Sequence, residues 1–163
     1  MENIPVTAYS GFSNVRGEIT LRKVIENITK GIHAKLIFKI RLLVSQGKME
    51  EANNVKKQLP FYTVTAGYRE KRQAYSITRY THIILLDIDD QPEEKLEGLR
   101  EKINGDPNTL ASFLTPKAHG FKIFVFMRTK YAMALRESLA KTGMDFPTLE
   151  KHHRMMYDAC KEY

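Results

Sequence analysis

The stretch Ile83-Ile84-Leu85-Leu86-Asp87-Ile88-Asp89-Asp90 decides the fold class. Its four consecutive apolar residues are the strongest strand signal in the chain, and a continuous run of this kind predicts a central strand covered on both faces. Three acids follow. Side chains alternate along a strand, so Asp87 and Asp89 are expected to point the same way. Two carboxylates this close repel each other, and a hard divalent cation relieves the repulsion while taking the oxygen ligands it prefers. Asp90 faces the other side. It stands two residues before Pro92, where an Asp helps to start a helix, and Glu93 and Glu94 suit the N-terminus of that helix. The competing view treats all three acids as turn and cap residues, but a cap needs one acid rather than an alternating pair.

Working outward, Pro92 opens a helix to about Ile103, and Asn104-Gly105-Asp106-Pro107 ends it. Residues 111–114 and 121–127 read as two strands around a turn, and residues 130–141 and 148–163 as helices. Upstream, residues 61–65 are β-prone. Before them the spacing of Leu21, Val24, Ile25 and Ile28 predicts one helix closed by Gly31. That of Leu36, Ile37, Ile40 and Val44 predicts a second, and residues 49–58 form a third, polar one ended by Pro60. Residues 1–18 read as an irregular strand and loop. Strands alternating with helices after residue 60 predict an α/β or α+β sheet domain, a single unit over 1–163, with residues 1–60 as a helical elaboration on a sheet core at 61–163. No internal repeat and no low-complexity stretch interrupts it.

Composition narrows the class. In 163 residues, 42% are apolar, enough for one core. Lys and Arg number 26 against 19 acids, a net charge of +7 that makes a polyanion a plausible partner, nucleic acid or nucleotide above all. The one cysteine, Cys160, excludes an internal disulfide and a thiolate zinc site, and fits a reducing cytoplasm. The N-terminus lacks the basic start and apolar stretch of a signal peptide. The most apolar early segment, residues 32–44, is interrupted by Lys35, Lys39 and Arg41, too short and too charged to span a bilayer.

Two further segments carry chemistry. Thr115-Pro116-Lys117-Ala118-His119-Gly120-Phe121-Lys122 joins two predicted strands through small and turn-forming residues. Such a loop turns backbone N–H groups outward and can cradle phosphate, with Thr115 and Lys117 or Lys122 as added donors. A plain hairpin turn with a surface lysine fits the same residues. Upstream, Arg69, Lys71, Arg72 and Arg79 interleave with Tyr68 and Tyr75. Arginine and lysine grip triphosphate oxygens and tyrosine stacks on bases; a solvated charged loop is the plain alternative. His119 reads as a turn residue. His152 and His153, adjacent on a helix, are not expected to face one site and read as surface or core-edge residues. His33 and His82 have no evident partner, and Met155 and Met156 read as packing.

Leu59-Pro60-Phe61 through Arg72, Leu85-Leu86-Asp87-Ile88-Asp89, and Thr115 through Lys122 together resemble, in order and spacing, the VirE-like N-terminal domain family. That family is similar to the archaeo-eukaryotic primases and primase-polymerases. The resemblance covers about residues 20–163 and is densest from 59 to 127. It implies an RRM-like sheet core in which Asp87 and Asp89 match the paired metal-binding acids and Arg72 a family arginine. The family loop reads Ser-Pro-Ser-Gly-x-Gly-[Leu/Phe]-Lys; Thr115, Pro116, Gly120, Phe121 and Lys122 fit it, while Lys117 and Ala118 replace a serine and a glycine. Lys122 takes the place of the nucleotide-binding histidine of primases proper.

The expectation is therefore a primase-polymerase-like domain, with Mg2+ or Mn2+ held by Asp87 and Asp89. A nucleoside triphosphate would be held by Arg72, Thr115, Lys117, Gly120 and Lys122, and nucleic acid, DNA rather than RNA, would be the partner, with no membrane. By the resemblance the protein serves replication of a mobile element. The family's third carboxylate stands on a later strand, whereas residues after Lys130 read as helices carrying Glu137, Asp145, Glu150, Asp158 and Glu162. The chain is thus expected to continue beyond residue 163, toward a helicase-like or ATPase region. Two other readings stay open. One is a non-catalytic nucleic-acid or nucleotide-binding module. The other is an Asp-x-Asp phosphohydrolase with Asp87 as nucleophile. A P-loop ATPase is excluded, since no Gly-x-x-x-x-Gly-Lys-[Ser/Thr] occurs.

Overall fold

The computed structural model describes residues 4–11, 14–142 and 145–162, an α+β fold. Residues 1–3, 12, 13 and Tyr163, which belong to the predicted opening segment and last helix, lie outside them. The chain opens as an antiparallel hairpin, β1 (Pro5–Ser10) with β2 (Asn14–Thr20), and not as an irregular strand and loop. Val6 and Tyr9 of β1 are buried, and Thr7, also buried, accepts the Tyr68 N–H at 3.1 Å. The antiparallel strand β3 (Phe61–Thr63) pairs on the other side of β1, giving the order β2-β1-β3. The first 60 residues are thus part sheet, and the hairpin is what fastens the helices to the rest.

Three helices separate β2 from β3. In α1 (Leu21–Thr29) the Thr20 hydroxyl accepts the Lys23 N–H at 3.2 Å, an N-cap, and Leu21 and Val24 are buried. Gly31, at φ +63°, turns the chain into α2 (Ala34–Ser45). The latter packs against α3 (Met49–Lys56) through Ile40, Leu43, Ala52 and Val55. All three follow the predicted bounds closely, because each buries one stripe at helical spacing.

The sheet that carries the acids is antiparallel, with β6 (Ile84–Ile88), β7 (Thr109–Leu114) and β8 (Phe121–Val125) in the order β6-β8-β7. The run at 83–86 is therefore an edge strand, not the central one. Its back face is covered, but Leu85 on the front is 37% exposed, so the cover expected on both faces is realised on one only. Ile84 and Leu86 belong to the back face, Leu85 to the front, and Ile83, just before the strand, is buried with Val6 and Phe124. The central strand is β8. Behind it, Phe121, Ile123 and Val125 pack on α4 (Glu93–Gly105) and α6 (Phe146–Glu162) through Ile103 and Met156. A fully buried side chain such as Ile84 or Met156 contributes about 2 kcal/mol. Pro92 occupies the N-cap of α4 without a side-chain cap, and Asp90 instead takes a left-handed conformation, φ +51°. The capping role expected of Asp90 is not realised.

The turn between β7 and β8 is tight. The Thr115 N–H donates to the Gly120 carbonyl at 2.9 Å and the Ala118 N–H to the Thr115 carbonyl at 2.9 Å. Ala118 stands at φ +64°, which a β-carbon disfavours. Gly120 lies so close to β6 that a β-carbon would collide with the Ile88 carbonyl and come within 3.1 Å of the Asp89 Cα.

A two-stranded sheet, β4 (Ala66–Tyr68) with β5 (Ile77–Tyr80), connects the halves. Tyr80, with Ile77, docks onto Leu139 of α5 (Lys130–Thr142) and Leu149 of α6. Around it is a cluster of imidazoles. The Tyr80 hydroxyl bonds His153 Nδ1 at 3.0 Å, His82 Nδ1 bonds His152 Nε2 at 3.3 Å, and the Tyr80 ring meets His82, His152 and His153 edge-on at 4.8–5.9 Å. The expectation that His152 and His153 cannot serve one place, and that His82 has no partner, is corrected. A tyrosine wedged against the helix reaches both neighbouring rings, and His82 at φ +62° turns back onto them.

Two predictions follow from this packing. Burial depresses the His153 pKa below the ordinary 6.5, so the neutral ring is the form that fits. Its contribution to stability is complete above pH 6.5 and is lost as pH falls through the folded-state value. The His82–His152 bond also needs one bare ring nitrogen. Tm should fall below pH 6.5, and less steeply in His153→Gln; parallel pH profiles for the two proteins would refute this. In the turn, Ala118→Gly should stabilise the domain by about 1 kcal/mol and Gly120→Ala destabilise it by about 2 kcal/mol, read by chemical denaturation. Equal midpoints would sink the turn geometry.

Candidate active site

The front face of the three-stranded sheet carries one polar row. Asp87 on β6 is the register partner of Lys122 on β8, which is in turn the partner of Phe113 on β7. The Lys122 ammonium donates to the Asp87 carboxylate as an ion pair. Asp87 is exposed and Lys122 partly so, which leaves the pair open to solvent and to a ligand. Lys122 is placed there by alternation: its neighbours Phe121 and Ile123 are buried behind the sheet, so it must face forward. The next row on the same face is apolar, Leu85 opposite Phe124 and Phe124 opposite Ala111. Phe113 and Phe124 meet edge-on at 5.6 Å.

Asp89 follows just beyond the last residue of β6 and is exposed. The turn from residue 115 to 120 closes against it. Besides the Gly120 contact, the Gln91 N–H donates to the His119 carbonyl at 2.8 Å, and the Gln91 side-chain amide to the Asp89 carbonyl at 2.9 Å. Thr115 is buried, Lys117 half-buried and His119 exposed. The N–H groups of Thr115 and Ala118 are engaged within the turn, which narrows the phosphate cradle expected there to the groups around Lys117 and His119.

In front of the sheet lies an open cleft of about 920 Å³. Leu85, Phe113 and Phe124 form its sheet wall, and Ile28 and Ile37 face them from α1 and α2. Lys122 on the sheet and Arg41, Lys56 and Lys57 from the helical segment also line the cleft. Phe61 also lines it, and the Arg72 guanidinium lies over the Phe61 ring, 5.0 Å from its centroid. Arg72 thus touches a residue of the cleft wall but does not itself line the cleft. Tyr9 packs against Phe61 at 5.2 Å and Tyr68 against Tyr9 at 6.5 Å. Burial pushes both phenols above the ordinary tyrosine value, with the nearby Arg72 charge pulling the other way.

The structure thus brings Asp87, Asp89, Gly120 and Lys122 to one end of one sheet, with the 115–120 turn beside them. It sets Arg79 apart from any such role. Arg79 lies over Gly67, where a β-carbon would come within 2.6 Å of its Nη2, and pairs with Glu18 at 2.8 Å. Among the described residues, no group of three or more His, Cys, Asp or Glu is arranged to hold a metal ion. Glu137, Asp145, Glu150 and Asp158 are exposed on or beside α5 and α6. The cleft residues on α1–α3 were not anticipated as site residues; the surplus of Lys and Arg on those helices was the available signal.

No curated protein and no solved structure matches the chain. No helix among the described residues is long and apolar enough to cross a membrane. A family model described as the BT4734-like N-terminal domain matches residues 54–163, from the end of α3 through α6. That stretch includes every strand and turn that carries Asp87, Asp89, Gly120 and Lys122, and the chain belongs to the BT4734-like N-terminal domain family.

Proposed function

We propose that this domain handles nucleoside triphosphates and nucleic acid by primase-polymerase-like, divalent-metal-dependent nucleotidyl transfer. The observation that carries the reading is the open Asp87–Lys122 row with Asp89 beside it, at the edge of a cleft whose walls are apolar and whose rim is cationic. The resemblance of the three motif segments to VirE-like domains and primase-polymerases supports the same chemistry.

The donor set fits a hard cation. Asp87 and Asp89 offer carboxylate oxygen only, and Mg2+ is commonly held by one or two carboxylates together with substrate phosphates. When bound, such an ion lowers the pKa of an attacking hydroxyl and draws charge from the transferring phosphate. Lys122 and Arg72 would neutralise the triphosphate and the charge that develops as the 3′ oxygen bonds to the α-phosphorus and pyrophosphate leaves. Lys117 and the turn around Gly120 would position the phosphates, and the half-buried Phe113 offers apolar surface to a base. Thr115, being buried, would act through the shape of the turn.

One observation favours a second reading, a module that grips nucleotide or nucleic acid without turning it over. Lys122 already neutralises Asp87, and a cation must displace it. The experiment is calorimetric titration of Mn2+, with and without a nucleoside triphosphate, into wild type and an Asp87→Asn, Asp89→Asn double variant. Saturable binding in the first and none in the second is expected. No binding in either would discard the metal-dependent reading in favour of the module. Lys122→Ala should raise Mn2+ affinity alone by about threefold, the size of an exposed ion pair, and weaken triphosphate binding. A Lys122→Ala variant with unchanged triphosphate affinity would remove Lys122 from the phosphate site.

A further inference from the structure

Between residues 20 and 60 the chain carries nine Lys and Arg against three Glu, a surplus of six in a protein whose total is +7. The three N-terminal helices therefore hold nearly all of the net charge. Most of this segment precedes the family match, which begins at residue 54. The strongest concentration is on α2, which contains Lys35, Lys39 and Arg41 and no acid. Among them Phe38 is 71% exposed. Lys35 and Arg41 stand three residues to either side of Phe38, so both flank its ring on the helix surface, and the exposed Leu42 follows four residues on. The positive surface is continuous with the cleft, because Arg41, Lys56 and Lys57 line it together with Lys122.

We propose that α2 and the C-terminal end of α3 form a binding surface for single-stranded nucleic acid. Phe38 stacks on an unpaired base, Lys35, Lys39 and Arg41 pair with phosphates, and Lys56 and Lys57 lead the strand into the cleft. An exposed ring set among unneutralised cations is the combination that single strands require: stacking on the base, charge along the backbone. A duplex does not offer the base face. A bilayer fits less well, since apolar and basic residues interleave around α2 instead of dividing into two faces, and a flat surface cannot follow the cleft. The final step, delivery toward Asp87, rests on the function proposed above; the surface itself does not.

The test is fluorescence anisotropy of the full chain with a labelled oligothymidylate of about fifteen nucleotides. It is run in chelator, so that nucleotidyl transfer can fail without touching the result. Phe38→Ala should weaken binding by about tenfold. Lys35→Glu with Lys39→Glu should reduce the slope of log affinity against log salt by about 1.4. All three positions are exposed, and circular dichroism verifies the fold. Unchanged affinity in both variants overturns the proposal. So does a loss seen only when Arg69 and Lys71 are replaced, which would move the surface to the loop between β4 and β5. Binding to vesicles of anionic phospholipid with none to the oligonucleotide would make α2 a membrane-facing helix and equally overturn it.

Discussion

Along Phe121–Val125, alternate side chains are committed to opposite jobs. Phe121, Ile123 and Val125 seal the core behind the sheet, and Lys122 and Phe124 look forward, one onto Asp87 and one into the cleft. A slip of one residue would bury the lysine and expose three apolar side chains, so the register is held by the whole of the core. The lysine–carboxylate row therefore inherits its geometry from packing. The loops around it adapt to a position that the strand has already set, and Gly120 is the place where that adaptation is closest.

This division explains what could be read from the chain beforehand. Helices α1 and α2 were legible because each repeats an apolar stripe at helical spacing, and α3 and α4 through the prolines, Pro60 and Pro92, that mark their ends. The forward placement of Asp87 was legible because alternation is local; Asp89 stands beyond the last residue of β6. Lateral strand order was not legible, since an apolar run such as residues 83–86 carries no count of the strands that lie alongside. The β1–β2 hairpin was obscured by Gly17, which leaves the inward row of Val15 and Ile19 without a side chain at its middle. The imidazole cluster depended on bringing His82 against α6 across some seventy residues, which no spacing rule expresses. Asp90 shows a different limit: its identity suited a cap, but the chain needed a left-handed turn there to meet the loop at His119.

The two halves of the domain contribute differently to the functional reading. The sheet and its turns, within the family-matched region, supply two acids and a lysine at an exposed edge. The helices ahead of it supply most of the charge and the far wall of the cleft. Under the function proposed above, chemistry and grip fall to separate parts of the chain that line one cleft.

The strand β3 belongs to the family-matched region, yet its hydrogen-bonding partner β1 does not, and Val6, Leu21 and Val24 share one apolar cluster with Val64, Ile83 and Phe124. The family match thus begins inside a sheet and a core shared with the residues before it, and residue 54 is not a seam at which the molecule could be parted. Grafting another N-terminal segment onto residues 54–163 would leave β3 with an open edge and Phe124 without its cover.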